Sequence, residues 1–231
     1  MELYEKAMTM ERSGKFSDAE ALFQQALQLD PENEPALFEL GNLYANLDLP
    51  ERAQAMYEKL LRLNDNHAQG HNNLGNVLGK RGRLKDATTH FERAVELMPS
   101  LPGARYNLGH ALFLQGNYSR AENLMQDALR LSPGEPRYLE GLGLLYKTTG
   151  QLPKAITTFR EWARVDTSQA MPHYQLGLAL ADNQEYDEAV LELNHYMRLS
   201  KDREEKTITR NKIFEIKRLQ IAARHKKTML P

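Results

Sequence analysis

Small and large apolar residues return along this chain at a fixed interval. Alanine stands at Ala19, Ala53, Ala87, Ala121, Ala155 and Ala189, every 34 residues through six copies, with no insertion or deletion. Four residues after each comes a large side chain, Phe23, Tyr57, Phe91, Met125, Phe159 and Leu193, and that separation puts both on one face of a helix. A Leu-Gly pair keeps the same interval as Leu40-Gly41, Leu74-Gly75, Leu108-Gly109, Leu142-Gly143 and Leu176-Gly177. Three residues past these glycines stand Tyr44, Leu78, Leu112, Tyr146 and Leu180, so each copy predicts a second helix. Gly14, Gly82, Gly116 and Gly150 fall between the Leu-Gly helix and the alanine helix, where glycine ends a helix in the left-handed conformation. All 10 prolines lie at predicted helix edges or at the chain end. No stretch alternates with a period of two between turn signals, so no sheet is expected.

A single helix pair cannot bury its apolar face, whereas stacked pairs bury a shared one. The pattern resembles the tetratricopeptide repeat, a helix-turn-helix family of 34-residue period marked by Leu-Gly, an aromatic, Ala, Phe, Ala and a closing Pro. The likeness covers residues 1 to about 200 and includes a second small residue, Ala26, Ala94 and Ala128, seven after Ala19, Ala87 and Ala121. It departs at Leu60, Trp162 and Tyr196, which replace that alanine, at Asp65, Thr167 and Lys201, which replace the closing Pro, and at Lys6-Ala7 in place of Leu-Gly. Trp162 either wedges repeats five and six apart or packs at an edge. The resemblance implies an all-α fold: a right-handed α-solenoid of six 34-residue helix-turn-helix repeats, at about 1-33, 34-67, 68-101, 102-135, 136-169 and 170-200, plus a C-terminal capping helix.

From Lys201 the interval lapses, and residues 201-231 are expected to form a basic capping helix and tail, helical from about Arg203 to Lys226. Ile208, Ile216, Leu219 and Ala223 read as the stripe that covers repeat six, with Phe214 and Ile221 facing away from it. Residues 201-231 carry ten Lys+Arg against four Asp+Glu, a net +6 that leaves -7 for residues 1-200. This asymmetry offers Phe214 and Ile221 as contacts for an acidic partner or a membrane surface.

Composition narrows the chemistry. The formal net charge of -1 favours neither polyanions nor polycations, and no nucleic-acid partner is expected. Cys is 0, which removes disulfides, thiolate metal sites and a cysteine nucleophile. The first residues lack a cationic lead and an apolar core, so a cytoplasmic protein is expected. Gly75-Asn76-Val77-Leu78-Gly79-Lys80-Arg81 has the wrong spacing for a phosphate loop, and Gly141-Leu142-Gly143 lacks both the third glycine and a preceding strand. His67 and His71 are four apart, but His67 falls in a turn, and no metal or cofactor is expected. No catalytic motif stands out, and the expectation is a non-enzymatic protein.

The resemblance directs function to the inner wall lined by the Leu-Gly helices. In the repeat frame that wall holds Phe38 and Asn42, then Asn72, Asn73 and Asn76, then Tyr106, Asn107 and His110, then Arg137 and Lys147, then Tyr174 and Gln175. Amides both donate and accept, so a ladder of them can pair with an extended peptide backbone, with aromatics adding side-chain pockets. Asn73 and Asn107 resemble the asparagine ladder of O-GlcNAc transferase repeats, but Glu39, Gly141 and Gln175 replace it elsewhere. Asn76, Asn107 and Arg137 match three sites of the family's carboxylate clamp, while Asn72 and Gly141 stand where it needs Lys and Arg. The expected function is a scaffold binding an extended peptide or partner helix in the concave groove. Alternatives are a module delivering substrates to a transferase, or a self-assembling scaffold that forms homo-oligomers. As the wall is expected to be solvated, Asn73→Ala with Asn107→Ala should leave melting nearly intact.

Overall fold

The computed structural model describes residues 2-228, and side chains up to residue 225. Among them are thirteen helices and no strand, an all-α helical solenoid repeat fold. The helices group into two compact units, Met1–Leu131 and Ser132–Pro231. The first holds α1 (Glu2–Arg12), α2 (Phe16–Leu29), α3 (Glu34–Asn46), α4 (Pro50–Leu63), α5 (Ala68–Lys80), α6 (Leu84–Leu97), α7 (Pro102–Leu114) and α8 (Tyr118–Leu131). The second holds α9 (Pro136–Thr148), α10 (Leu152–Val165), α11 (Met171–Asp182), α12 (Tyr186–Leu199) and α13 (Arg203–Thr228). Prolines sit in the first turn of α3, α4, α7, α9, α10 and α11, where the missing N–H has no intrahelical partner to lose.

In repeats two to six the two helices are pressed together by a glycine facing a large side chain, and in repeat one buried Ala7 takes the glycine's place. A Cβ on Gly75 would lie 2.6 Å from Phe91 Cε1, and one on Gly143 would lie 2.3 Å from Phe159 Cε1. The alanines of the interval, Ala19, Ala53, Ala87, Ala121, Ala155 and Ala189, are fully buried beside them. Burying each Leu or Phe of these contacts contributes about 1.5 to 3 kcal/mol, and the small residues let the helices approach closely enough to do it.

The turn between paired helices has one geometry in all six repeats. The residue after the glycine position donates its N–H five residues back, as in Arg83 to the Leu78 carbonyl at 2.9 Å and Glu185 to the Leu180 carbonyl at 2.9 Å. The position itself has positive φ, with glycine in four repeats; Asp48 (φ 56) and Gln184 (φ 66) adopt it in the other two. The repeat interval therefore passes through both non-glycine turns.

The departures from the small-residue pattern have local causes. Leu60 is fully buried and meets Gly70, whose added Cβ would stand 3.0 Å from Leu60 Cδ2; the large residue faces the smallest one. Tyr196 is buried where α13 packs on α12, and its hydroxyl donates to the Glu205 carboxylate of α13. Trp162 is buried with its ring 6.3 Å from that of Phe159, and its Nε1 has no hydrogen-bond partner.

α13 covers α12 through a stripe that keeps Ile216 and Ala223 of the one the sequence suggested but not Ile208 and Leu219. Thr209, Ile213 and Ile216 are buried, with Gln220 and Ala223 half-buried behind them, while Ile208 and Leu219 are 56% and 55% exposed. The buried set keeps the spacing of four and three that lays one helix face on its neighbour. Phe214 and Ile221 do stand off this stripe, exposed.

Candidate functional site

In the first unit α5 packs against both α3 and α7, and four of the asparagines on these helices form one hydrogen-bonded line. Asn107 Nδ2 of α7 donates to Asn72 Oδ1 at 2.8 Å, Asn72 Nδ2 to Asn73 Oδ1 at 3.0 Å, and Asn73 Nδ2 to Asn42 Oδ1 of α3 at 2.8 Å. Asn42 Oδ1 also accepts from the Tyr57 hydroxyl at 2.7 Å, and Asn42 Nδ2 donates to Glu39 Oε2 at 3.0 Å. Burial pushes the Tyr57 phenol well above its ordinary value, so it remains a donor at neutral pH.

This arrangement alters the expected solvated ladder. Asn107 is buried, Asn42, Asn72 and Asn73 are half-buried, and the amides join the helices to one another. Each Nδ2 carries two hydrogens, and Asn42, Asn72 and Asn73 each spend one in the line. Asn76, one turn further along α5, is half-buried.

Aromatic rings flank the amides. Phe38 lies 4.9 Å from the His67 ring and 6.3 Å from that of Tyr57. On α7, Tyr106 is buried and stacks on exposed His110 at 6.0 Å; His110 meets Phe113 at 6.4 Å, and Phe113 meets Tyr118 at 5.8 Å. At α1 the surroundings turn acidic: burial and the Glu39 charge raise the Glu11 carboxyl, while burial, Glu39 and Glu5 raise the Tyr4 phenol.

The sequence missed Tyr57, Phe113 and Tyr118 as site residues. Glu39 was visible, since it holds in repeat two the place of Asn73 and Asn107, but its bond to Asn42 follows only from the fold.

The second unit does not continue the pattern. Gly141 and Gln175 hold the places of Asn73 and Asn107, so no amide pair spans α9 and α11. Lys147 pairs with Asp182 at 3.8 Å, Arg137 is exposed at the start of α9, and Gln175 is half-buried. Tyr174 lies 4.9 Å from the ring of Tyr196 and so takes part in the packing toward α12. Burial, then the bond to Glu205, leaves the Tyr196 phenol pushed up to about 12.

His67 accepts at Nδ1 from the Gly70 N–H, and His71 faces His90. Among the described residues no group of three or more His, Cys, Asp or Glu could hold a metal ion.

Tetratricopeptide repeat models match residues 12–75, 66–134 and 106–172. No curated protein matches the chain. Among solved structures, PilF of Pseudomonas aeruginosa superposes with a TM-score of 0.78 at 19% identity, over 91% of this chain and 96% of that one. YrrB, described as a tetratricopeptide protein with an unusual peptide-binding site, has a TM-score of 0.66 at 23% identity, over 82% of this chain and 97% of its own. MamA of Desulfovibrio magneticus has a TM-score of 0.65 at 26% identity, over 73% and 96%. With the 34-residue interval, the helix pairs and the glycine-to-aromatic contacts in place, these matches make the chain a member of the tetratricopeptide repeat family.

Proposed function

We propose that this protein is a non-enzymatic scaffold that receives an extended peptide along α3, α5 and α7. A tetratricopeptide repeat fold implies protein or peptide partners, and such proteins are generally non-catalytic scaffolds. The observation that carries the reading is the amide line from Asn42 to Asn107. It crosses three successive helices, leaves one N–H on each of Asn42, Asn72 and Asn73 beyond the line itself, and lies between the Phe38 and Tyr106–His110 rings. Backbone carbonyls of an extended chain suit such donors, and the rings suit its side chains.

The test is a peptide selected on the full-length chain from a random displayed library, with its affinity read by fluorescence anisotropy. Asn76→Arg, which places a long cation beside the amides, is expected to weaken that peptide at least tenfold. Equal binding by wild type and Asn76→Arg would contradict this reading.

A second surface is supported by α13. Phe214 and Ile221 are 65% and 55% exposed, on the same side as exposed Arg203, Arg210 and Lys217. This combination suits an acidic partner, with salt-dependent binding expected. Among the described residues no helix is long and apolar enough to cross a membrane. Binding to anionic vesicles that is lost in Phe214→Ser with Ile221→Ser would instead make the partner a lipid surface.

A further inference from the structure

One core position of the repeat holds Leu37 in repeat two and Leu139 in repeat five, both buried. Repeat three puts His71 there, only 5% exposed. Its Nε2 lies 3.0 Å from the Asp65 carbonyl oxygen and 3.5 Å from the Asp65 carboxylate. Both of these only accept, so Nε2 carries a hydrogen. Its Nδ1 lies 3.0 Å from Nδ1 of His90 on α6. A neutral His71 protonated on Nε2 accepts at Nδ1, and His90 must then donate from its own Nδ1.

We propose that the His71–His90 pair is an acid-released latch that holds α5 against α6, and with α5 the Asn72 and Asn73 members of the amide line. The idea rests on the proposed use of that line and supplies its regulation. The pair can hold one extra proton without breaking: charged His71 donates from Nδ1 once the His90 proton has moved to Nε2. The second proton sets N–H against N–H at the same short separation, and the two charges repel in a half-buried place.

The surroundings bias these two steps. Asp65, itself paired with Arg93 of α6 at 3.2 Å, faces His71 with its carboxylate at 3.5 Å. Burial foremost, then His71, lowers His90 from its ordinary value; Asp86 and Glu58 pull it upward, and Arg83 lowers it further. On α7, Arg105 is held by the Asp127 carboxylate at 3.1 Å and by the Pro99 carbonyl. His67 of the preceding turn is turned to Gly70 and Phe38.

The sign follows from the lowered His90. Below about 6.5 the unfolded chain binds a proton that the folded chain refuses until its own lower value is reached. Stability from the pair is complete above that pH and drains as pH falls through the interval.

The test is a nitrogen-15 histidine NMR titration of the full-length chain, with amide exchange of α5 followed from pH 7.5 to 5. The expected result is two coupled steps for His71 and His90, with protection of α5 falling about tenfold per unit by which the second step is lowered. His90→Gln donates to neutral His71 and, with its amide turned, accepts from the charged form, so its protection should stay level across that range. His71→Leu, which restores the apolar residue of repeats two and five, should keep only the part of the acid loss that burial of His90 causes, and so decline less steeply than wild type. Independent titration of both rings near 6.5, or the same acid loss in His90→Gln as in wild type, would overturn the latch. No arm uses a peptide, so failure of the groove reading leaves these outcomes separately readable.

Discussion

Repeats three and six, α5–α6 and α11–α12, share their spacing and fill it differently. Both press their helices together at the glycine contact: a Cβ on Gly75 would meet Phe91 Cε1 at 2.6 Å, and one on Gly177 would meet Leu193 Cγ at 2.7 Å. Histidines stand three periods apart in the two, His71 buried and His173 half-buried, yet His71 faces His90 whereas His173 faces the Glu192 carboxylate at 2.6 Å. Ala94 closes the first pair beside α7, and Tyr196 closes the second beside α13. The turn is Gly82 in one and Gln184 in the other, at φ 76 and φ 66. Close approach of the two backbones is the shared requirement, and the polar pairs answer only to the helix that comes next.

The largest expected effect breaks the shared requirement. Gly75→Ala and Gly177→Ala should each cost about 1 to 3 kcal/mol by overpacking, measured by denaturant unfolding. Gly79→Ala is the contrast, since its Cβ would find its nearest neighbour at 3.9 Å. It should stabilise by up to about 1 kcal/mol through helix propensity. Equal losses at Gly75 and Gly79 would remove the packing argument.

Of comparable size is the amide line, present in repeat three and absent from repeat six. Asn73→Ala with Asn107→Ala deletes three side-chain hydrogen bonds at a half-buried and a buried position. About 0.5 to 1.5 kcal/mol per bond is expected, so melting should drop, in place of the near-neutral result that a solvated wall predicts. Gln175→Ala in repeat six should stay within about 0.5 kcal/mol.

The turns differ by less. Gln184→Gly should gain about 0.5 to 1 kcal/mol by relieving a left-handed non-glycine residue, and Gly82→Ala should lose a similar amount; calorimetric melts of both variants check the pair.

Smallest is an alkaline effect in repeat six. Tyr196 is raised to about 12 by burial and Glu205, above the value near 10 of an unfolded chain. Its contribution is therefore whole below pH 10 and is lost as pH rises toward about 12. Tyr196→Phe should show a shallower decline in melting temperature between pH 9 and 11.

The helices were legible in the sequence because alanine, Leu-Gly and proline each mark a steric need that recurs at one interval. The turns at Asp48 and Gln184 were not, since neither residue advertises positive φ; only the interval points there. On α13 the interval is gone. Polar Thr209 is buried at 1% exposure while apolar Ile208 and Leu219 face outward, so hydrophobicity alone placed Ile216 and Ala223 on the covered face but set the stripe's edge wrongly. At the site, Asn42, Asn72, Asn73 and Asn107 were named from their places in the repeat. Their bonds to one another depend on the separation of α3, α5 and α7, which residue types do not encode. The His71–His90 contact was hidden in the same way, because the two are nineteen positions apart with a turn between their helices.

The measurement that bears most directly on the account is an NMR titration of the labelled full-length chain with the library-selected peptide, following the side-chain amide resonances. The account predicts that Asn42, Asn72, Asn73 and Asn76 shift together at stoichiometric peptide while the surface of α13 stays silent. Shifts confined to α13, or to the alanine helices α2, α4, α6 and α8, would contradict it.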